Sequence, residues 1–124
     1  MKKIATLVAS GALVAASLIA TAPQASAACL GLEKWTATAP GSSAVWDLDG
    51  ASACQDLNAA YTYSHNDKVK GWYKQSGTWR EGTRGFVAVT TSDSGWKVLL
   101  SDVQNGATVR GETYTYNQYV RYVW

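Results

Sequence analysis

The chain has 124 residues with a formal charge of +2, and among them are six Trp, seven Tyr, two Cys and a single His. One histidine and two thiols exclude most histidine-based zinc sites, which need several ligands at defined spacing. The small charge excess provides no general attraction to nucleic acid or to anionic membranes.

Lys2 and Lys3, an apolar run from Ile4 to Ala20, and Ala25-Ser26-Ala27 follow one another at the start. A basic head, an apolar middle and a small-residue cleavage site read as a secretory signal peptide over residues 1–27, removed after Ala27. Ser10, Gly11 and Ser17 interrupt the run and Pro23 follows it, which weighs against a retained membrane anchor. Ser26 stands where a lipobox carries an apolar residue, which weighs against acylation of Cys29. Residues 28–124 then form one secreted domain, with no linker, repeat or low-complexity tract. Loss of Lys2 and Lys3 leaves nine Lys and Arg against nine Asp and Glu, so neither nucleic acid nor membrane is expected as a partner.

Cys29 and Cys54 are the only thiols, and outside the cytoplasm they are expected to pair. Closing that loop removes about 3.5 kcal/mol of denatured-state entropy in the chain-entropy account, a large share of a small domain's margin. No Cys-x-x-Cys and no adjacent base favours a redox or nucleophilic thiol.

Beyond Cys29 the hydrophobic rhythm is mostly two, as half-buried strands require. Glu33 to Ala39 and Ser43 to Leu48 read as strands around Pro40-Gly41, and Val69 to Gln75 as another before Ser76-Gly77. Only Ala51 to Ala60 reads as a helix, with Ser52 as its N-cap. Gly82-Thr83-Arg84-Gly85 reads as a turn, since it lacks the surroundings of a phosphate loop. Strands starting near Phe86, Trp96 and Ala107 are separated by Ser92-Asp93-Ser94-Gly95 and Asn105-Gly106, which predicts a meander. The segment from Tyr114 to Trp124 predicts a strand pair with rings on both faces. The expected fold is all-β, a small antiparallel sandwich or closed barrel with one disulfide, with an SH3-like barrel over Trp72 to Trp124 as the alternative.

Catalytic templates find little support. His65 lies in Ser64-His65-Asn66-Asp67, which reads as an exposed turn, and Gly-x-Ser-x-Gly is absent. Asp47 and Asp49 share a strand face at roughly 6–7 Å, a separation that permits two-carboxylate chemistry, yet so small a domain rarely provides a glycosidase cleft. A solvated strand end or a calcium contact is the plainer reading for them, and no metal, cofactor or catalytic residue is expected.

The aromatic content is the strongest functional signal. More rings are present than one small core buries, and Trp and Tyr outside a core favour protein interfaces and sugar platforms. Trp72, Tyr73, Trp79, Arg80, Tyr116, Tyr119 and Trp124 are therefore the candidate contact residues, with an indole and a cation stacking in the Trp72 to Arg80 region. Trp72 and Trp96 lean toward the core in this reading. The layout is similar to that of many small secreted bacterial proteins, enzyme inhibitors among them, on architecture alone. An extracellular inhibitor or adaptor that binds a protein partner is the expected function; a carbohydrate- or cell-wall-binding module is the alternative, and a small hydrolase or toxin using His65, Asp47 or Asp49 comes third.

Overall fold

The computed structural model describes residues 32–48, 56–92, 95–104 and 106–124. The expected signal peptide, the Cys29–Cys54 disulfide, Asp49 and the start of the expected helix lie outside these residues. The described chain is all-β, with ten strands in two antiparallel sheets and no helix.

The strands are β1 (Glu33–Ala39), β2 (Ser42–Ser43), β3 (Val45–Asp47), β4 (Leu57–Thr62), β5 (Asp67–Gln75), β6 (Thr78–Glu81), β7 (Val87–Val89), β8 (Lys97–Leu100), β9 (Thr108–Thr113) and β10 (Gln118–Val123). Sheet I has the order β2-β1-β10-β4-β8, and sheet II the order β3-β9-β5-β6. The long strand β5 holds two partners in succession, its first residues pairing with β7 and its last with β6. The sheets are not closed into a barrel, which removes the closed-barrel and SH3-like alternatives.

Local chemistry explains the short hairpins. Pro40 and Gly41 (φ 72°) connect Ala39 to its partner Ser42, the proline presetting its own φ and the glycine taking the left-handed position. Ser76 and Gly77 both have positive φ and connect Gln75 to Thr78, the two-residue geometry that matches strand twist. The Gly82 to Gly85 segment is the expected turn, closed by Gly85 N donating to the Gly82 carbonyl.

Four expectations are corrected. Leu57, Ala59 and Ala60 are buried in β4 rather than helical, because that strand lies between β10 and β8 and must satisfy two ladders. Tertiary pairing overrides the modest helical preference of alanine. The Ser43 to Leu48 strand is two strands, β2 in sheet I and β3 in sheet II, so the chain changes layer at Ala44. The meander is absent as well: β7 and β9 belong to sheet II but β8 to sheet I, and the segment from Tyr114 to Trp124 holds the single strand β10, between β1 and β4, rather than a strand pair. The turns after Val89 and Leu100 therefore cross between layers. Val98, Leu99 and Leu100 are all buried although β8 is an edge strand of sheet I, and Leu99 and Leu100 pack against Gly71 of sheet II.

The core lies between the sheets. Trp46 and Val109 from sheet II meet Leu57, Val120 and Tyr122 from sheet I. Trp46 stands 4.9 Å from the Tyr122 ring and 6.2 Å from Trp124, and each such ring contributes roughly 1.5–3 kcal/mol by its burial. Trp124 closes the layer because Leu32 and Trp124 exchange backbone hydrogen bonds of 2.7 and 2.9 Å.

At the centre of sheet II, Gly71 and Gly111 are cross-strand partners, and both face sheet I. Neither has a positive φ, so space and not conformation demands glycine there. Leu100 fills the room over Gly71 and the Tyr122 phenol the room over Gly111. The buried hydroxyl of Tyr122 lies 3.0 Å from Thr38 Oγ1, and burial pushes its pKa well above the usual tyrosine range.

Candidate functional site

Strand alternation sends one row of each sheet to the core and the other outward. In sheet I, Thr36, Thr38, Gln118, Val120 and Tyr122 are buried, and Trp35, Ala37, Tyr119 and Arg121 form the opposite row. Trp35 and Tyr61 flank Arg121 as its cross-strand partners on either side. Their rings meet edge to face, 5.4 Å apart at 80°. Arg121 donates from Nη2 and Nε to Glu33 Oε2 at 2.9 and 3.2 Å, and its guanidinium lies 5.5 Å from the Trp96 ring.

This outer face of sheet I carries Trp35, Trp96, Tyr119 and Tyr63 at 45, 38, 54 and 66% exposure. Beside them lies a shallow groove of about 650 Å³ whose lining includes Ala37, Ala39, Ala44, Tyr63 and Tyr119.

The outer face of sheet II is also aromatic, yet its rings are already partnered. Arg110 lies across Trp72 and Trp79, its guanidinium 4.9 and 4.8 Å from the two rings. Lys70 sits 5.1 Å from Trp72 and 4.3 Å from Phe86 and pairs with Glu81 at 3.2 Å, while Lys74 lies 5.5 Å from Trp79. The Trp72 indole N–H donates to Glu112 at 2.9 Å, and the other Glu112 oxygen accepts from Gly41 N. Cation–π contacts and these bonds leave Trp72 and Trp79 only half-exposed.

The candidate contact residues thus do not form one site. Trp72 and Trp79 share the sheet II face, but the stacking cations are Arg110, Lys70 and Lys74. Arg80, one residue from Trp79, falls on the opposite face opposite Tyr73. Tyr73 points inward and packs against the core. Tyr116 lies in the β9–β10 connection, stacked on His65 at 4.1 Å and 14°. Tyr119 alone among them belongs to the exposed sheet I face, and Trp124, at 6% exposure, is a core residue whose ring is closed to a partner. Trp35, Tyr61 and Tyr63 complete the face and were not singled out from the sequence, whereas Trp96, expected to lean toward the core, is 38% exposed on it, and Trp72, expected likewise, is half-exposed on the outer face of sheet II. Strict alternation through Trp35-Thr36-Ala37-Thr38 was the available signal, since it puts the indole opposite the two threonines.

His65 is exposed in the loop expected for it, and Asp47 is an exposed residue accepting from Thr108 Oγ1 at 2.8 Å. Among the described residues no three His, Cys, Asp or Glu side chains cluster as metal ligands do.

A second concavity, of about 350 Å³, lies between Tyr73, the Gly82 to Arg84 turn and the segment from Ser101 to Gln104. Arg84 Nη2 donates to Ser101 Oγ at 3.0 Å, and Asp102, at φ 57°, donates its N–H to Asp56 Oδ1 at 3.4 Å. Burial pushes the Asp56 carboxyl above its ordinary pKa, opposed by the hydrogen bond from Asp102 N and by the Arg84 charge and aided by the Asp102 charge. The folded protein therefore takes up this proton at a higher pH than the unfolded chain. Stability from this group rises as pH falls through the raised value and levels off below the ordinary one. Asp56→Asn keeps an acceptor for Asp102 N and removes the charge. Urea midpoints at about pH 7 and about pH 5 are expected to lie closer together in Asp56→Asn than in the parent chain, and a difference as large as the parent's counts against the assignment.

No protein-family description, curated protein or solved structure matches this chain.

Proposed function

We propose that the chain is an exported β-sandwich domain, closed by Cys29–Cys54, that engages a protein partner through the outer face of sheet I and catalyses nothing itself. An extracellular inhibitor or an adaptor subunit is the role that fits. The observation that carries this reading is the group Trp35, Trp96, Tyr119 and Tyr63, all exposed on one face around Arg121. Trp, Tyr and Arg are the residue types that dominate binding energy at protein interfaces. The edge-to-face packing of Trp35 on Tyr61 favours a protein over a glycan on this surface, because a sugar platform needs rings that present their flat faces side by side.

Capture on tagged protein from the culture fluid of its producer, followed by titration of the recovered partner, tests the reading. Trp35→Ala and Tyr119→Ala are each expected to weaken that complex by about 2 kcal/mol, roughly thirtyfold, with the melting temperature unchanged. Trp79→Ala, on the other sheet, is expected to leave affinity within twofold. Equal affinity for all three variants, or loss only with Trp79→Ala, rejects the sheet I face.

A further inference from the structure

The cleft beside Tyr73 has a chemistry different from that of either sheet face. Its floor is apolar, made by Leu99, Leu100 and Val103. Its rim is polar, with Gln75, Thr83, Arg84, Ser101, Asp102 and Gln104. Gly82 forms part of the wall as bare backbone, packed so closely that a Cβ there would come within 2.6 Å of Leu100 Cδ2 and 3.0 Å of the Leu99 carbonyl. The volume, about 350 Å³, is at the lower end of the range of small-molecule sites.

Charge decides what class of ligand fits. Lys74 also borders the cleft, but its ammonium lies 5.5 Å from the Trp79 ring on the outer face of sheet II. Arg84 and Asp102 then oppose each other at the rim, leaving no surplus charge to hold an ion. A wholly apolar guest is equally disfavoured, since it would strip water from Arg84 and Asp102 without replacing their hydrogen bonds. What remains is a neutral molecule with an apolar face and an edge of groups that both donate and accept.

We propose that this cleft binds a neutral saccharide of one or two rings. Arg84 donates to its hydroxyls, Asp102 accepts from them, Gln75 and Gln104 do both, and the C–H face lies on Tyr73 and the leucine floor. The backbone of Asp102 supports the assignment. A non-glycine residue held at φ 57°, braced by Asp56 through its N–H, is an uncommon conformation of the kind that clusters at ligand sites. The site is separate from the sheet I face and does not depend on a protein partner there.

Nitrogen–proton correlation spectra of the purified protein, recorded with maltose, cellobiose, lactose and chitobiose up to about 50 mM each, provide the test, since weak single-site sugar binding is readable at that concentration. At least one disaccharide is expected to give saturable shifts confined to the amides of Gly82 to Arg84 and Ser101 to Gln104. Asp102→Asn, which tolerates the left-handed backbone, and Arg84→Met, which keeps the apolar stem, are each expected to weaken that binding at least tenfold with melting unchanged. Trp35→Ala is expected to leave it unaltered. No saturable shift with any of the four sugars overturns the proposal. So do shifts centred on Trp35 or Trp72, or binding of glucuronate at the cleft when the neutral sugars do not bind.

Discussion

Gly111→Ala is expected to destabilise the domain by about 3 kcal/mol or more, at the upper end of overpacking effects and a large part of the roughly 5–10 kcal/mol such a domain has. The added Cβ would lie 2.5 Å from Tyr122 Cζ and 2.8 Å from Cε1. Tyr122 has nowhere to go: it is fully buried, its ring packs on Trp46 and its hydroxyl meets Thr38. Separation of the sheets or displacement of Tyr122 is the only relief, and either loosens the centre of the core. Tyr122→Phe alone is expected to cost about 1 kcal/mol, the worth of one buried hydrogen bond. Combined with Gly111→Ala it is expected to be less damaging than the sum, because the hydroxyl that clashes first is gone. Gly71→Ala is milder in this account, since its nearest contact is Leu100 Cγ at 2.8 Å and a leucine has rotamers to try. Urea denaturation of the parent, Gly111→Ala, Tyr122→Phe and the double variant measures the cycle, and strict additivity of the two changes would refute the packing argument.

Asp67→Ala is expected to cost about 2–4 kcal/mol, because it leaves several backbone donors at a largely buried position without an acceptor. Asp67 is 8% exposed at the start of β5. Its carboxylate accepts from Lys68 N at 2.8 Å, from Thr115 N at 3.1 and 3.2 Å, and from Tyr116 N at 2.8 Å. Those last two donors belong to the connection between β9 and β10, the place where the chain passes from sheet II to sheet I. Asp67 therefore fixes the crossing as well as its own strand. Asp67→Asn retains one carbonyl oxygen and is expected to lose about half as much. The midpoint in urea should fall with the slope unchanged; Asp67→Ala within about 0.5 kcal/mol of the parent would show that the crossing is held by something else.

The sequence order in which elements become legible follows their range. Glu33–Ala39 is readable to the residue, because Trp35, Thr36, Ala37 and Thr38 alternate and Pro40-Gly41 ends the strand by local turn chemistry. The β5–β6 hairpin is readable for the same reason at Ser76-Gly77. Ala59 and Ala60 carry no such local signal, and only the pairing of β4 with β10 and β8 makes them strand. At the candidate site, Tyr119 is legible as an outward ring and Trp35 is available from alternation. Arg110 is invisible to local reading, since it reaches Trp79 across β5 from a strand some thirty residues further along the chain.

From the amino-acid order alone came the all-β class, several strand limits and the surplus of rings, each resting on contacts between residues close along the chain. Which sheet a strand joins, and so which rings end up outside, was decided only in three dimensions. Trp124 and Trp35 are both aromatic residues in or beside strands, and no local property separates them. Trp124 is buried against Trp46 because Leu32 pairs with it and sheet II covers it, whereas Trp35 lies on the outer face of sheet I with the edge of Tyr61 beside it and stays 45% exposed. Burial is a property of what packs on a residue, and in this fold the covering strand is usually distant in the chain.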